Sequence, residues 1–279
     1  MSSTTLARTA GDRRVAAHPA STTRRLPDLR RWISPVAILL VWQLASTTGL
    51  LAEDELASPL RVVTAAVDVT ASGELPEGLL VSLGRVATGL VLGLVVGVGL
   101  GLLSGLSRWG DHLVDPPVQM LRTLPHLGLV PLFILWFGIG ELPKVLLVAL
   151  GVLFPMYLNV HAGVRGVDPK LLEAASVSGF TRAERLRHVV LPGAMPSTLT
   201  GLRLALGIAW LSIIVAETTS ADAGLGYMIM NAREFLRTDV IVVGLAVYAL
   251  LGLGTDLLVR RLERTVLAWR PAGPAGGDR

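Results

Sequence analysis

The lysines of this chain set a first limit on its chemistry. Lys144 and Lys170 are the only two among 279 residues, and each directly follows a proline. A phosphate-binding P-loop needs its lysine after glycine and before Ser or Thr, where the side chain neutralises the β- and γ-phosphates of the nucleotide. The chain therefore has no P-loop, and we predict that it does not hydrolyse ATP.

Other catalytic and metal-binding patterns are missing as well. Cysteine is absent, which excludes a thiolate nucleophile, a thiolate metal site and a disulfide framework. The sequence contains neither the HExxH pattern of zinc proteases nor the GxSxG pattern of serine hydrolases. No catalytic residue, metal ligand or cofactor is therefore predicted, and a membrane enzyme is disfavoured.

A few polar side chains lie within or beside long apolar segments, where they are candidates for a translocation path. His126 lies between Pro125 and Pro131, which loosen the backbone, and Asn159 lies at the end of another apolar segment. The alternative is that each is simply hydrogen-bonded by a neighbouring helix. Three further residues are predicted to lie at membrane–water interfaces, with Glu217 solvated at the outer surface: Arg203, Glu217 and Asp256.

The composition explains why such residues are few. The chain is 52% hydrophobic and only 16% charged, with a mean hydropathy of +0.60. An ordinary soluble domain carries about 25% charged residues, so we predict an all-α, polytopic membrane protein. Six segments have the length and apolarity of a membrane span: Ile33–Leu51, Val86–Leu106, Leu121–Ile139, Val145–Val160, Leu199–Ala216 and Val240–Val259.

The distribution of positive charge predicts the orientation. Most of the 25 Lys and Arg residues lie in the two tails and in the second and fourth loops. Because cytoplasmic loops carry the excess of Lys and Arg, both termini are predicted to be cytoplasmic. No basic face remains for nucleic acid. The predicted domains are a disordered tail over 1–32, a transmembrane domain over 33–265 and a second tail over 266–279.

The second predicted span carries a glycine at every fourth position, which places all of them on one helical stripe. Such a stripe lets two membrane helices approach closely. The sequence predicts helix packing here, with sliding during gating as a functional alternative, and it leaves open whether the partner helix is in this chain or another. The stripe consists of Gly89, Gly93, Gly97, Gly101 and Gly105.

Two loops have helical signals of their own. The acidic outer loop 52–82 is either a short interfacial helix, with Leu60 and Val63 on its apolar face, or a solvated linker.

The inner loop 161–198 predicts two helices. Asp168-Pro169 starts the first, Gly179 ends it, and Thr181 with Glu184 forms a capping box for the second. The prolines at 192 and 196 are predicted to break the chain before the fifth span. A further inner-loop cluster, Asp111, His112 and Asp115, is interpreted as a solvated turn.

The inner loop has the spacing E-A-A, three residues, G, nine residues, V, one residue, L-P. It resembles the EAA loop of ABC importer permeases and departs from it only by valine in place of isoleucine. Residues 132–175, 201–217 and 224–239 resemble the same family, within it the permeases for aliphatic sulfonates, taurine and nitrate, and are nearest to the sulfonate members. The matching positions are Glu173, Ala174, Ala175, Gly179, Val189, Leu191 and Pro192.

The resemblance implies a type I importer permease with a cytoplasmic coupling helix between spans four and five, in a bacterial inner membrane. It implies three partners: an ATP-binding subunit that carries the nucleotide, an extracytoplasmic solute-binding protein and a second permease copy. The transported solute would be a small anion such as an aliphatic sulfonate, with taurine, nitrate or another small solute as alternatives. An ion-driven secondary transporter is the alternative of another class, but it needs carboxylates in mid-span, and these are missing.

Overall fold

A computed structural model describes residues 30–52 and 55–269, which are helical and contain no β-strand. The all-α prediction is confirmed, whereas both predicted tails lie almost wholly outside the described residues. We number the α-helices as α1 (Arg30–Thr47), α2 (Pro59–Ala71), α3 (Glu74–Leu106), α4 (Arg108–Leu121), α5 (Val130–Phe137), α6 (Glu141–Arg165), α7 (Pro169–Val177), α8 (Arg182–Arg185), α9 (Leu191–Ser220), α10 (Leu225–Glu234) and α11 (Thr238–Val266).

The chain divides into two units, residues 1–41 and residues 42–279. Of the first unit the structure describes the beginning of α1, whose apolar side chains, such as Ile33 and Leu40, are exposed. The second unit contains the end of α1 and all later helices, and its core is formed largely by α3, α6, α9 and α11. Helix α6 lies between α3 and α9, and Val148 and Val152 on it are fully buried.

Four helices of the described residues are long and apolar enough to cross a membrane, namely α3, α6, α11 and the continuous helix that ends with α9. They contain the predicted second, fourth, sixth and fifth spans. The apolar part of α1, Ile33–Thr47, is shorter. A count of six spans therefore stays a prediction, while a multi-pass helical membrane protein is what the fold shows.

The third predicted span, Leu121–Ile139, is wrong as a single helix. Helix α4 ends at Leu121, a 3₁₀ turn covers His126–Leu129, and α5 follows directly. The segment His126–Phe137 is bent by 80° relative to α4. Pro125 is the cause, because a proline disfavours helical geometry in the residue before it and has no N–H to continue the ladder. At most, the bent pair forms one broken span.

The break predicted before the fifth span is also wrong. Helix α9 begins at Leu191 and continues through Pro196 to Ser220. It is preceded without interruption by a π-helical turn, Leu186–Val190, in which the N–H of Leu191 bonds to the carbonyl of Leu186. Pro192 follows the π turn and lies, like Pro196, within the uninterrupted helix that ends at Ser220.

The outer loop does contain a helix. Helix α2 starts at Ser58, whose side chain accepts a hydrogen bond from the N–H of Arg61. It buries Ala65 and Val69 and leaves Leu60, Val63 and Val67 exposed. The apolar stripe seen in the sequence therefore faces outward, as an interfacial helix requires.

Candidate functional site

The glycine stripe of α3 lies directly against α6. A Cβ built on Gly93 would be 2.5 Å from the carbonyl oxygen of Ala149 and 2.7 Å from the Cβ of Val152. The other four positions meet α6 residues in the same way, at 2.7–2.9 Å. Their partners on α6 are also spaced by four residues: Val148, Val152, Met156, Val160 and Val164.

This contact settles where the packing partner is, since the sequence left open a helix of this chain or of another. Real Cβ atoms essentially never lie under 3.0 Å from such neighbours, so the backbones of α3 and α6 approach each other more closely than a side chain on the stripe would allow. Helix α6 contacts α9 through small residues as well, with Gly163 against Ala194 and Gly201 against Asn159. Helices α3, α6 and α9 form one closely packed unit.

After the C-terminal end of α6 the chain forms a short helix-turn-helix. The side chain of Asp168 caps α7 by accepting the N–H of Lys170 at 2.9 Å, with Pro169 at the first helical position. Helix α7 ends at a turn in which Gly179 has φ +83°, a conformation that glycine adopts without strain. These local features are those expected from the sequence.

The second half of this element begins with a complete capping box. The N–H of Glu184 bonds to the hydroxyl of Thr181, and the N–H of Thr181 bonds to the carboxylate of Glu184 at 2.8 Å. Arg185 also donates to the hydroxyl of Ser176 at 2.8 Å, which ties the second helix to α7. The loop is therefore internally braced.

Helix α7 presents an exposed face with an apolar part. Leu171 and Val177 are exposed, Val177 at 90%, and Ala174 lies between them. Glu173 is exposed and has no hydrogen bond or ion pair to any described residue, so its carboxylate is available to another molecule. Ala175 is different, because it is buried against its own chain.

The remaining motif positions lead from the loop into α9. Val189 packs against the core, and Leu191 is 36% exposed. Pro192 lies half-buried near the start of α9. Val189 lies within the π turn. Such turns are frequent at functional sites of helices.

The two candidate path residues lie at helix contacts. His126 forms a hydrogen bond of 3.2 Å between its Nε2 atom and the hydroxyl of the buried Ser212 on α9. Asn159 donates its side-chain N–H to the carbonyl of Pro155 at 2.8 Å, and its Cβ packs on Gly201. The structure does not bring these two residues together.

Glu217 is not solvated, and that prediction is wrong. Its side chain has no exposed surface, and its carboxylate accepts hydrogen bonds from four donor groups. Sequence reasoning placed it at an interface because it ends an apolar run, but it points into the bundle. Its donors are the hydroxyl of Ser82, to both oxygens at 2.8 Å, the Nη1 of Arg85 at 2.7 Å, the N–H of Gly226 at 2.8 Å and the hydroxyl of Tyr248 at 3.2 Å.

Arg85 is the residue that sequence reasoning missed. Its guanidinium is buried and binds Glu141 through two bonds of 2.6 Å, in addition to its bond with Glu217. A signal was present in the sequence, since Arg85 continues the four-residue spacing of the glycine stripe one step earlier. Lys144 is also buried and donates to the carbonyl of Gly140 at 2.8 Å.

The inner-loop carboxylates are ordered in a helix and not in a solvated turn. Asp111 and Asp115 belong to α4 and bond to α6: Asp111 to His161 at 3.0 Å and to Arg165, and Asp115 to the hydroxyl of Tyr157 at 2.9 Å. The prolines that follow stand inside α4, so they did not mark a turn. Arg203 pairs with Asp256 at 3.3 Å and with Glu263 at 2.7 Å, contacts that the sequence did not predict.

The described residues form an apolar multi-pass helical bundle with an exposed helix, α7, at one end. Residues 79–268 match the family of binding-protein-dependent transport system inner membrane components. The match covers more than half of the sequence, and the chain belongs to this family.

Curated relatives narrow the comparison. The chain is 53% identical to the putative aliphatic sulfonates transport permease protein SsuC of Escherichia coli (strain K12), over 86% of this chain and 92% of that protein. It is 36% identical to the taurine transport system permease protein TauC of the same strain, over 85% and 88%. Among solved structures, an amino acid ABC transporter with histidines has a TM-score of 0.60 at 20% identity, covering 71% of this chain and 97% of that one.

Proposed function

We propose that this chain is the transmembrane subunit of an ATP-driven importer, that it carries an aliphatic sulfonate, and that a separate subunit supplies the ATPase. The observation that carries the proposal is the braced helix-turn-helix, which presents an exposed face of α7 at the inner end of the tightly packed helices. Two facts support it: the chain has no P-loop, and two of its relatives bear the name of aliphatic sulfonate permeases.

Helix α7 is the proposed docking element for the ATP-binding subunit. Ala174 lets a partner surface approach closely, Leu171 and Val177 offer apolar contacts, and Glu173 offers a carboxylate to a basic side chain. The loop is braced by the bond from Arg185 to Ser176, and its second helix continues into α9 without a break. A displacement of α7 is therefore transmitted directly to a membrane helix. Ala175 supports this element from its inner side.

Val177→Glu is expected to weaken this docking, because it places a charge in an apolar contact without disturbing the fold of α7. Loss of one central contact of an interface costs about 1–2 kcal/mol, so recovery of the ATP-binding subunit with a tagged permease should fall about tenfold. Glu173→Arg tests the same surface by reversing its charge. The measurement is the amount of ATP-binding subunit that co-purifies from membranes.

Val67→Glu on α2 is the matched control, since Val67 is also an exposed valine on a short helix. It should leave recovery of the ATP-binding subunit unchanged. Full recovery and normal ATPase stimulation in both Val177→Glu and Glu173→Arg would contradict the docking role of α7.

The substrate proposal rests on relatives and on what the spans lack. Positive groups are few in the apolar helices, and the buried ones, Arg85 and Lys144, are already paired. Such a path would bind an anion weakly, which agrees with selection by an extracytoplasmic solute-binding protein.

We propose a homodimer of this chain with both termini in the cytoplasm of a bacterial inner membrane, following the distribution of Lys and Arg.

Uptake measurements test the substrate directly. The permease is expressed together with its ATP-binding subunit and its solute-binding protein in a host without sulfonate uptake. Radiolabelled ethanesulfonate, taurine and nitrate are then supplied in parallel. ATP-dependent accumulation of ethanesulfonate above the other two supports the proposal. Preferred uptake of taurine or nitrate would support an alternative substrate, and uptake driven by an ion gradient without ATP would contradict the importer class.

His126→Ala is a separate prediction about the path. The side chain joins the bend between α4 and α5 to Ser212 on α9, so its loss should change the rate of transport. We expect a decrease of about threefold or more in the uptake rate, the size of one buried hydrogen bond, with normal recovery of the ATP-binding subunit. An unchanged uptake rate would remove His126 from the path.

A further inference from the structure

Several segments of the bundle meet at Arg85, at the end away from α7. We call Arg85, Ser82, Glu141, Glu217 and Tyr248 the Arg85 cluster; they lie on α3, α6, α9 and α11. Each carboxylate of the cluster is bonded to the guanidinium of Arg85 at 2.6–2.7 Å. One side chain therefore joins the outer ends of α3, α6 and α9.

The cluster also holds a segment that contributes no side chain to it. This segment, residues 221–234, comprises the turn after α9 and helix α10. The carbonyl of Ala223 accepts from the Nη1 of Arg85 at 2.7 Å. The N–H of Leu225 bonds to the hydroxyl of Ser82 at 2.9 Å, and the N–H of Gly226 bonds to Glu217.

The approach of this backbone is so close that it requires glycine. A Cβ on Gly224, where φ is +115°, would be 2.5 Å from the Oε1 of Glu217 and 2.7 Å from the Nη1 of Arg85. The backbone of the turn thus lies directly on the ion pair. The position of the turn therefore depends on the ion pair between Arg85 and Glu217.

Cavities flank the segment on two sides. One of about 160 Å³ lies between the start of α3 and the turn, lined by Glu77 and Asp222 among others. Another of about 250 Å³ lies between the end of α9 and α10, lined by Thr219, Asn231 and others. Side-chain packing around the segment is therefore incomplete, although Leu225 itself is fully buried.

We infer that Arg85 is a positioning residue for transport: it holds residues 221–234 closed over the outer end of the bundle through Glu217 and Ala223, its bonds with Glu141 keep the guanidinium in that position, and loss of the Glu141 bonds lets the segment open. The two halves of the cluster differ in access to water. The side chain of Glu217 is 0% exposed, whereas that of Glu141 is 61% exposed. Water or a partner molecule can therefore compete for the bonds between Arg85 and Glu141 but not for the bond between Arg85 and Glu217. The inference rests on the proposed function as a transport subunit.

Thiol labelling measures this opening, because the natural chain has no cysteine. Leu225→Cys places one thiol behind the turn, and the full-length permease is labelled with a maleimide in nanodiscs of phosphatidylethanolamine and phosphatidylglycerol. Adding Arg85→Met should raise the labelling rate about tenfold by opening the segment locally, and Arg85→Lys, which keeps the charge, should raise it about threefold. Glu141→Ala should also raise it.

Two controls separate local opening from general loosening. Val152→Cys reports on a fully buried position of α6, and its labelling rate should not change with Arg85→Met. Arg203→Met removes a different ion-paired arginine and should leave Leu225→Cys unchanged. If labelling at both cysteines rises equally with Arg85→Met, or at neither, the positioning role is wrong.

The variant Arg85→Met can fail to yield folded protein, and Glu141→Ala then decides, since Glu141 lies at the surface. Unchanged labelling of Leu225→Cys in Glu141→Ala would overturn the inference. The labelling needs neither ATP nor substrate, so its failure is distinct from a failure of the proposed function, which the uptake and co-purification measurements report.

Discussion

Gly93→Val is expected to leave little folded protein. The new side chain would overlap the carbonyl oxygen of Ala149 and the side chain of Val152, and a carbonyl in a helix cannot move aside. Overfilling a packed contact costs about 1–3 kcal/mol where neighbours can adjust, and we expect about 3 kcal/mol or more here. Size-exclusion chromatography of the detergent-solubilised protein measures the folded fraction, and a thermal melt measures the loss in Tm.

Gly99→Val on the same helix is the matched control. No atom lies within 4 Å of a Cβ at Gly99, which is exposed between two positions of the stripe. Valine is a slightly better helix former than glycine, so stability should change by less than about 0.5 kcal/mol. If both variants behaved alike, close packing of α3 on α6 would not be what holds these helices together.

Glu217→Ala should be the second most damaging substitution. It removes a fully buried carboxylate that accepts from four donor groups and leaves part of the Arg85 guanidinium unpaired. Removing one partner of a buried ion pair costs about 3–5 kcal/mol. The thermal melt of the purified permease should show this as a large decrease in Tm.

Glu263→Ala provides the comparison for that loss. Glu263 also bonds an arginine, Arg203, at 2.7 Å, but both side chains are about 40% exposed. An exposed pair contributes about 0–1 kcal/mol, so the decrease in Tm should be small. Equal decreases in Tm in both variants would show that the buried Glu217 pair stabilises the protein no more than the exposed Glu263 pair does.

Features of short range were predictable from the sequence. The caps at Asp168 and Thr181, the turn at Gly179 and the stripe on α3 each depend on residues within one or two turns of helix. Such signals act through backbone hydrogen bonds and helix periodicity, which neighbouring residues determine. The inner helix-turn-helix therefore appears in the structure much as the sequence describes it.

Features of long range were not predictable in this way. Arg85 and Glu217 are 132 positions apart, and hydropathy treats each as the end of an apolar run near water. Prolines misled for a related reason. Pro125 lies at the bend between α4 and α5, whereas Pro196 lies within the continuous helix α9. A single sequence shows the proline but not its neighbours.

The π turn at Leu186–Val190 has a consequence for how this protein tolerates change in length. A π turn is equivalent to one extra residue accommodated within a helix. Each residue of an α-helix advances the direction of its side chains by about 100°. Deleting a single residue there would convert the π turn into regular α-helix and keep the side-chain directions on either side of it, whereas a deletion within the regular part of α9 would turn the two sides relative to each other by about 100°. The helix can thus lose one residue at this turn without changing the angular position of the inner loop relative to α9.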